Sequence, residues 1–477
     1  MNHALQATRC APRRWAMLAG RKVHLVGIAE VGMSALAELL VAEGWTITGS
    51  AAGEPPHWLW SGGIRTFRGY ASGNVEATTD LLIYSDAVEL YHVERQRAAA
   101  LGIRQFSRPQ MLGELMMGRV GLAVAGTRGK RTTTAIAASI LSAAGFDPTV
   151  VSTGTPLGAN SGAYRGRGRH FLTEACDDRS GFLNLSPQVA AILGIEAGGL
   201  QKDAALGDLE ARFEQFARRL PGSGVLVVNG DCPAARRVAE KATCRVVTFG
   251  LEPRSDWQAQ WLHGDSGRYC FEIAVAGEVL GEFALRVPGR ENVLNALAAA
   301  CLAGQTGADA EAIREGIRRF TGLKRGLERV GFWQGAVWFD DDARHPIEIR
   351  AALRALREMF PNRRIWCIFQ PQQVSCTRPW LDELAGSLQD ADRVAVAEVF
   401  GASESSSAEG KATAAELAER VRARGADTID EHRLENIFEA VCSAVRGGDI
   451  LLTLGAGEIR NVWNASTGRL RSYRAAG

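Results

Sequence analysis

The sequence has 477 residues, of which 46% are hydrophobic and 23% charged, and a formal net charge of +2. A chain of this length exceeds one hydrophobic core, so we expect two to four domains. The near-neutral charge excludes the basic footprint of a nucleic-acid-binding protein, and no apolar run approaches the roughly 18 residues of a membrane span. The 9 cysteines are scattered without a C-x-x-C pair, which excludes a disulfide framework and favours a reducing cytoplasm.

The first 20 residues contain three arginines but only short apolar pieces. A signal peptide needs a continuous apolar segment after its basic residues, so residues 1–20 are interpreted as a flexible extension. Met17 is an alternative start of translation. From residue 21 onward, short apolar strands alternate with helical patterns. This alternation favours an α/β fold with mostly parallel sheets covered on both faces.

The first predicted strand, Val23–Ile28, runs into a glycine turn at the start of a helical pattern. Such a turn suits a diphosphate, because backbone N–H groups and the helix dipole face the anion. Ala29 and Glu30 depart from the G-x-G-x-x-G spacing, and the Glu30 carboxylate would repel a phosphate. A nucleotide site and a plain packing turn both stay open here. A further strand is predicted at Leu81–Tyr84.

The most informative stretch is Leu122–Ala135, an apolar strand, a glycine-bearing turn and a helix that opens with a lysine and hydroxyl residues. Gly126 and Gly129 allow backbone N–H groups to approach phosphate oxygens, and Lys130 is placed for the β- and γ-phosphates. A phosphate loop normally has Ser or Thr directly after the lysine, to place a hydroxyl on Mg²⁺, but this chain has Arg131 there. The pattern predicts a nucleoside triphosphate site with one altered position.

Two further features of the central region have alternative interpretations. Glu174 ends a predicted strand, His170–Glu174, where a carboxylate is a natural Mg²⁺ ligand, although a solvated loop carboxylate would look the same. Two aspartates within the next four residues favour the metal role. An Ala-rich helix after Pro288 runs to about Gly304. Either its face is simply buried, or the asparagines at its start read the edge of a base.

The last third of the chain is predicted to form another α/β unit that begins near Thr321, after β-rich connecting structure at 254–287. Its strand Val337–Phe339 ends in Asp340-Asp-Asp-Ala-Arg-His345, and open α/β sheets bind ligands at such carboxyl ends of strands. Pro346 suits the first turn of a helix. Further strands are predicted at Ile365–Phe369, Val394–Val396 and Ile450–Leu454, with a mobile Ser-rich loop at 402–407 and a glycine turn at 455–458.

In this order, these motifs resemble the Mur ligase family over nearly the whole chain from about Lys22. Many short signatures in register over three domains are far more specific than any one of them. The signatures are Val26-Gly27-Ile28 with Gly32-Met33-Ser34, Ala125-Gly126-Thr127 with Gly129-Lys130, Glu174-Ala175, Ile195-Glu196-Ala197, Val287-Pro-Gly-Arg290 with Asn292-Val-Leu-Asn-Ala296, Gly322 with Lys324-Arg325, Asp340-Asp341 with Ala343 and His345-Pro346, Phe369-Gln-Pro371 and Gly455-Ala-Gly457.

The resemblance implies three domains: a Rossmann-like UDP-sugar-binding domain over 21–117, a P-loop ATP-binding domain over 118–320, and a Rossmann-like domain over 321–477 that brings in an amino acid. It implies a cytoplasmic ligase of peptidoglycan precursor synthesis that uses ATP and Mg²⁺. Because a carboxylate is a poor electrophile, ATP would phosphorylate the lactyl carboxylate of UDP-N-acetylmuramate. The amine of an amino acid, expected to be L-alanine, would then attack the acyl phosphate. Neither nucleic acid nor membrane insertion is expected.

The resemblance also implies roles for individual residues. Catalysis is assigned to Lys130, Glu174 and His345. ATP binding is assigned to Gly126, Thr127, Arg128, Gly129, Lys130, Arg131, Thr132, Asn292, Asn295, Arg325 and Asp341. The UDP-sugar is assigned to Gly27, Ile28, Gly32, Met33, Ser34 and Ser85, and the amino acid to Arg344, Gln373 and Arg378. The metal is assigned to Glu174, with the Thr132 hydroxyl replacing the one that Arg131 does not supply.

Several positions depart from the family pattern. Arg131 stands where the family has a hydroxyl residue and Gly199 where it has a histidine, and both family residues are associated with Mg²⁺. Arg128 replaces the central histidine of the phosphate loop. Gln372–Cys376 replaces a His-Arg-Tyr-Ser-Arg segment whose arginines hold the amino acid's carboxylate. That loss should weaken a charge-assisted interaction unless other arginines replace it.

Three functions therefore stay open. The first is an active ligase that joins L-alanine to UDP-N-acetylmuramate through rebuilt metal and amino-acid sites, which the intact Lys130 and Glu174 favour. The second is a ligase of the same reaction type with a different acceptor or amine, which the altered Gln372–Cys376 segment favours. The third is a non-catalytic relative that binds nucleotide or a partner, which Arg131 and Gly199 favour.

Overall fold

A computed structural model describes residues 20–55, 59–60, 62–176, 178–196, 206–265, 267–400, 407–455, 457 and 459. The strands form three separate sheets with helices between them, which confirms the predicted three-part α/β architecture. No helix in the described ranges has both the length and the apolar character needed to cross a bilayer. The predicted flexible extension lies outside the described residues apart from Gly20, and so does the Ser-rich loop up to residue 406.

The first sheet has five parallel strands in the order β3-β2-β1-β4-β5. Four of the five residues of β1 are buried, because helices cover both faces of a parallel sheet. Its strands are β1 Lys22–Val26, β2 Thr46–Ala51, β3 Arg65–Arg68, β4 Leu81–Tyr84 and β5 Arg104–Ser107, with α-helices Val31–Ala42, Val93–Ala100 and Arg108–Met116 and a 3₁₀ turn at Ser72–Asn74.

The central sheet has ten strands in the order β15-β14-β13-β12-β11-β10-β6-β9-β7-β8. It contains β6 Val120–Ala125, β7 Thr149–Val151, β8 Ala163–Tyr164, β9 His170–Glu174, β10 Val189–Ile192, β11 Val225–Asn229, β12 Arg245–Gly250, β13 Trp257–Asp265, β14 Arg268–Val275 and β15 Glu278–Leu285. Its α-helices are Lys130–Ala143, Leu206–Ala217, Pro233–Ala239, Arg290–Gly304 and Ala310–Arg319, with a 3₁₀ segment at Asp178–Asn184.

Residues 254–287, interpreted from the sequence as connecting structure, mostly belong to the central sheet itself. Strand β13 pairs in parallel with β12, and β14 and β15 continue the sheet as antiparallel strands. The Ala-rich helix Arg290–Gly304 is buried along almost its whole length, because it packs against both the helix Lys130–Ala143 and the sheet. Small side chains allow that close approach.

The third sheet has six strands in the order β16-β17-β21-β18-β19-β20, all parallel except β16. They are β16 Glu328–Trp333, β17 Ala336–Asp341, β18 Ile365–Gln370, β19 Arg393–Val396, β20 Asp427–Ile429 and β21 Ile450–Gly455. The helices are Pro346–Met359, Val374–Thr377, Leu381–Leu388, Ser407–Ala423 and Leu434–Ala444, with a 3₁₀ turn at Arg378–Trp380.

The topology brings the carboxyl ends of strands from two sheets together. In the central sheet, β6 lies between β9 and β10, so the chain that leaves β6 enters a point where the strand order reverses. The segments after β17 and β18 of the third sheet border the same region, since residues from all these strand ends line common cavities. Such switch points are where open α/β sheets bind ligands.

Candidate active site

The loop that follows β6 requires glycine at two positions for both conformational and steric reasons. Gly126 has φ 137° and Gly129 has φ 78°, and Gly129 caps the helix Lys130–Ala143. Side chains rarely adopt such positive φ values. A Cβ on Gly129 would stand 2.3 Å from Asn295 Oδ1, and a Cβ on Gly126 would stand 3.0 Å from Leu193 Cβ. The loop can therefore present its backbone N–H groups and a helix N-terminus to an anion.

The asparagines at the start of the helix Arg290–Gly304 support this loop from behind. Thr133 Oγ1 donates to Asn295 Oδ1 at 3.3 Å, and Asn295 Nδ2 donates to Asn292 Oδ1 at 3.1 Å. Asn292 Nδ2 in turn donates to the Pro288 carbonyl at 2.6 Å. Both asparagines also line the cavity beside the loop. The helix is therefore buried, as one interpretation held, while the recognition of a base stays a prediction.

Lys130 is the first residue of the helix after the loop. Its Nζ donates to the Gly126 carbonyl at 2.6 Å and approaches the Thr127 carbonyl at 3.4 Å. The ammonium group therefore lies at the loop carbonyls. This position keeps a cation beside the N–H groups that would hold phosphate oxygens.

Arg131 is the residue that departs from the phosphate-loop pattern. It forms an ion pair that connects the helix after β6 of the central sheet to the end of β17 in the third sheet. Its Nη1 and Nη2 donate to Asp342 Oδ2 and Oδ1 at 2.5 and 2.8 Å. Burial opposes the charge on both groups, but the bidentate pair prevails, so the pKa of Arg131 is raised and that of Asp342 is lowered. Burial and the adjacent Asp342 charge raise the pKa of Asp341 to about 8.

Asp341 and Arg325 were both predicted to bind ATP. In the structure their side chains form hydrogen bonds at the turns before β16 and after β17 of the third sheet. Asp341 accepts from the backbone N–H groups of Leu327 and Ala343 at 2.6 and 2.7 Å. Arg325 has φ 56° and its Nε donates to Asp340 Oδ2 at 3.2 Å. Both predicted residues also line the cavity beside the loop. Their bonds fix the position of Asp342, which follows directly.

Arg128 connects the loop to the third sheet at a second point. Its Nη2 donates to His345 Nδ1 at 2.8 Å, and its Nε lies 3.0 Å from Glu196 Oε2. His345 Nδ1 also accepts from the Ile347 N–H at the start of the helix Pro346–Met359. Two donors at Nδ1 assign the ring proton of neutral His345 to Nε2. The ring is edge-on to Trp380, with 4.7 Å between the ring centroids.

Glu174 is held by three donors rather than turned toward a cavity. Ser152 Oγ and the Thr153 N–H donate to Oε1 at 2.5 and 2.9 Å, and Thr153 Oγ1 donates to Oε2 at 2.6 Å. Glu174 lines neither of the two cavities that meet beside the loop. Within the described ranges, no group of three or more His, Cys, Asp or Glu residues could hold a metal ion. Gly199 and Asp177 lie outside those ranges. The residues that the structure describes therefore do not fit a protein-held Mg²⁺ beside the loop.

The two cavities share a polar wall. The first has a volume of 340 Å³ and runs from the phosphate loop to the helices Arg290–Gly304 and Pro346–Met359. The second has a volume of 350 Å³ and lies over the carboxyl end of β18. Volumes of this order suit small ligands. The wall that they share is formed by Thr127, Arg128, Arg131, Asp342 and Glu348.

The second cavity contains a guanidinium group with little compensating charge. Arg344 Nη1 donates to Gln372 Oε1 at 2.8 Å, while its Nε is buried without a hydrogen-bond partner. Among the described residues no carboxylate forms a salt bridge with Arg344. Burial lowers the pKa of Arg344, and the charges of Arg325 and Arg131 lower it further against the opposing effect of Asp342. A carboxylate ligand would satisfy this group.

The other two residues predicted to bind the amino acid lie elsewhere. Arg378 forms a surface ion pair with Glu409 at 2.8 Å and does not line the second cavity. Gln373 caps the short helix Val374–Thr377, and its neighbour Gln372 is the one that lines the cavity. Arg344 is thus the predicted residue that the fold brings to this cavity.

In the first sheet, the Glu30 carboxylate stays beside the predicted sugar-binding turn, where one hydrogen bond fixes its position. Ser85 Oγ donates to Glu30 Oε2 at 2.5 Å, which holds that carboxylate at one side of the Gly27 turn. Ile28 and Met33 are core residues, and the buried Ser34 Oγ donates to the Ile28 carbonyl at 2.6 Å. Three of the six predicted residues therefore pack the turn, and sugar binding by the set stays a prediction.

Sequence reasoning missed several residues that the fold brings to these sites. The guanidinium of Arg108 lies against Gly32, where an added Cβ would be 3.1 Å from Nη1, so a cation borders the first glycine turn. Asp342, Gln372 and Trp380 were not assigned roles from the sequence. Asp342 and Gln372 do belong to stretches that the sequence analysis singled out, but nothing in those stretches shows which of their side chains enters the cavities. Arg108 and Trp380 lie outside every motif.

Comparisons with known proteins agree along the length of the chain. The matching family models are "Mur ligase family, catalytic domain" over residues 22–119, "Mur ligase middle domain" over 124–303, and "Mur ligase, glutamate ligase domain" over 325–457. The UDP-N-acetylmuramate–L-alanine ligase of Alkaliphilus metalliredigens is 34% identical over 449 residues, which cover 92% of this chain and 95% of that protein. The enzyme of the same name from Desulfitobacterium hafniense is 36% identical over 446 residues, covering 92% and 98%.

Solved structures show the same likeness. The UDP-N-acetylmuramate–alanine ligase of Thermotoga maritima superposes with a TM-score of 0.81 at 26% identity, covering 95% of this chain and 99% of that one. A murein peptide ligase of Psychrobacter arcticus has the same fold, with a TM-score of 0.72 at 24% identity and coverage of 94% and 98%.

Proposed function

This chain belongs to the Mur ligase family, and from that premise we propose that it is an ATP-dependent ligase that joins L-alanine to UDP-N-acetylmuramate in peptidoglycan precursor synthesis. Relatives that carry this activity in their names are 34–36% identical over more than nine-tenths of the chain. The observation in the fold that carries the proposal is the meeting of two cavities at one polar wall beside a phosphate loop. A two-step ligase needs such an arrangement, because a phosphorylated intermediate must be reached by a second substrate.

In the first step, ATP occupies the cavity that starts at the phosphate loop. The loop N–H groups and Lys130 stabilise the charge on the transferred phosphoryl group. An oxygen of the sugar's lactyl carboxylate attacks the γ-phosphorus, the bond to the β-phosphate oxygen breaks, and ADP leaves. Arg128, on the shared wall, is the further cation placed to stabilise charge as it develops.

In the second step, the amine of the amino acid attacks the carbonyl carbon of the acyl phosphate, and inorganic phosphate leaves. Arg344 holds the α-carboxylate of the amino acid, since its guanidinium lacks a carboxylate partner in the second cavity. The cavity walls include Phe369, Trp380 and Leu384, which suit a small apolar side chain. Neutral His345, protonated at Nε2, is positioned in the wall of the same cavity.

The domain roles follow from the same scheme. Residues 21–117 bind the UDP-sugar, residues 118–320 bind ATP, and residues 321–477 supply the amino-acid site and close over the nucleotide. Closure excludes water, which would otherwise hydrolyse the acyl phosphate. Mg²⁺ accompanies ATP as the counterion of its phosphates.

The decisive experiment measures phosphate release and amide product with ATP, Mg²⁺, UDP-N-acetylmuramate and a panel of amino acids. We expect turnover with L-alanine, and its loss in Lys130→Ala. Turnover with another amino acid alone would show a ligase of different specificity. No product with any amine, combined with retained ATP binding, would identify a non-catalytic relative and overturn the proposal.

A further inference from the structure

We propose that the Arg131 guanidinium takes the place of a protein-held divalent cation at the wall between the two cavities, with Asp342 as its anchor. The inference rests on the proposed ATP site. It concerns how the phosphate charge is neutralised and not which sugar or amino acid reacts.

The first support is the position of Arg131. It is the second residue of the helix that begins at the phosphate loop, and its side chain lines both cavities. The side chain is 42% exposed, so a ligand in either cavity can reach it. Its Cβ packs so closely on Gly154 that a Cβ there would be only 2.9 Å away. The absence of a side chain at Gly154 therefore leaves room for the Cβ of Arg131.

The second support is the charge around that guanidinium. Arg131 pairs with Asp342 and also lies within electrostatic reach of Glu174 and Asp341. Asp342 and Glu174 belong to two different sheets, and their charges would repel an incoming phosphate. The Arg131 guanidinium offsets part of this repulsion where a metal ion would otherwise be needed, and its N–H groups that Asp342 does not use can still donate to phosphate oxygens.

The third support is that the predicted metal ligand is otherwise engaged. Glu174 accepts three hydrogen bonds from Ser152 and Thr153 and lines neither cavity. The residue after Lys130, where a hydroxyl would normally reach Mg²⁺, is Arg131 itself. The same substitution thus removes a metal ligand and supplies a cation.

The test is calorimetric titration of the purified full chain with ATP, without a sugar acceptor, in EDTA and in excess Mg²⁺. In the wild type we expect the two dissociation constants to agree within about threefold, which corresponds to about 0.7 kcal/mol. Arg131→Thr restores a hydroxyl beside Lys130, so its affinity should fall in EDTA and recover by about tenfold or more with Mg²⁺. Arg131→Met offers neither charge nor hydroxyl and should bind weakly under both conditions.

Arg319→Thr serves as the matched control, since it makes the same substitution on the surface helix Ala310–Arg319 and should bind like the wild type. The inference is overturned if wild-type affinity depends on Mg²⁺ as steeply as that of Arg131→Thr, or if Arg131→Met binds as tightly as the wild type. In those cases the ligase proposal still stands. Failure of the wild type to bind ATP under either condition would overturn both.

Discussion

Arg344 is the residue whose surroundings point most directly to a ligand. Its guanidinium donates to the neutral side chain of Gln372, and a second nitrogen is buried without a partner. A half-buried cation with a buried, unpartnered Nε is costly unless a counter-charge arrives. The α-carboxylate of the proposed amino acid supplies that charge. The family's own carboxylate-binding arginines are replaced in this chain by Gln372–Cys376, so Arg344 approaches the same ligand from the preceding strand end.

Arg344→Gln should therefore raise KM for L-alanine by about 10–100-fold, the equivalent of one charge-assisted hydrogen-bond contact of about 1.5–3 kcal/mol. KM for ATP should change little, because we propose that the nucleotide binds in the other cavity. Steady-state kinetics with each substrate varied in turn measures the split. Arg354→Gln is the control, since Arg354 lies on the neighbouring helix with a 70% exposed side chain and a distant partner at 4.0 Å. Equal effects of the two variants would contradict the assignment.

His170 provides a residue-scale prediction about pH. It is 3% exposed, stacks on Phe146 at 4.8 Å, and both ring nitrogens lack hydrogen-bond partners. Burial, with a contribution from Arg169, lowers the pKa of His170 to about 4. An unfolded histidine has a pKa of about 6.5, so between about pH 6.5 and 4 the unfolded state binds more protons and the folded state loses stability as pH falls.

From pH 7 to pH 5, this one group should remove about 2 kcal/mol of folding free energy. His170→Phe keeps the stacked ring without a titrating group, so its stability should fall less over the same interval. Urea unfolding at the two pH values measures the difference. His263→Phe, on an exposed position of β13, should leave the wild-type pH dependence intact. Parallel pH profiles for the wild type and His170→Phe would show that burial of this imidazole does not cause the loss of stability.

At the scale of elements, the shape of the phosphate loop depends on the glycine at position 129. Gly129 and Gly145 both have positive φ, at 78° and 74°, near opposite ends of the same helix. An Ala at either position incurs the left-handed backbone cost of about 1–2 kcal/mol. Only at Gly129 would the new Cβ also collide with Asn295, whose Oδ1 would be 2.3 Å away, whereas nothing lies within 4 Å of the Gly145 position.

Gly129→Ala should thus weaken ATP binding by at least about tenfold, since displaced loop N–H groups no longer converge on the phosphates. Gly145→Ala should keep wild-type ATP affinity, although its thermal stability falls. Titration with ATP and thermal unfolding of both variants separate the two effects. If both bind ATP equally well, contact with Asn295 is not what positions the loop.

The elements also show what the sequence could and could not predict. The strands His170–Glu174 and Leu81–Tyr84 were predicted with the bounds that they have. Leu81–Tyr84 is a continuous apolar run, as strands of a buried parallel sheet often are, and His170–Glu174 was predicted as one of the strands that alternate with helices. Residues 254–287 were interpreted as β-rich connecting structure, and their partly exposed, mixed sequence does not show that β13–β15 continue the central sheet. The pair between Arg131 and Asp342 joins residues 211 positions apart, and no local pattern can predict it.

At the scale of the whole molecule, a buried ion pair connects the first region, the part of the chain that carries the first sheet, to the central sheet. Arg119, just before β6, contacts Glu43 at the end of the helix Val31–Ala42 over 3.2 Å, with side-chain exposures of 4% and 2%. Arg165 adds a second contact to Glu43 at 3.1 Å and donates to the Ala42 carbonyl. The central sheet is thus connected to a helix of the region that we propose binds the UDP-sugar. In the proposed reaction, this connection positions the sugar relative to the phosphate loop.

Glu43→Gln removes the negative charge but leaves Arg119 buried, and breaking one side of a buried pair costs about 3–5 kcal/mol. We expect the midpoint temperature of the first thermal unfolding transition to fall by several degrees. KM for UDP-N-acetylmuramate should rise more than KM for ATP, because the first region is no longer held in position against the central sheet.

The control is Glu210→Gln, which breaks a pair with Arg237, whose side chain is 51% exposed. It should have a much smaller effect because water screens that pair. Combining Glu43→Gln with Arg119→Met removes both charges of the pair and should recover part of the lost stability. If the double variant is no more stable than Glu43→Gln alone, the cost does not come from the charge of Arg119, and the connection between the two regions depends on other contacts.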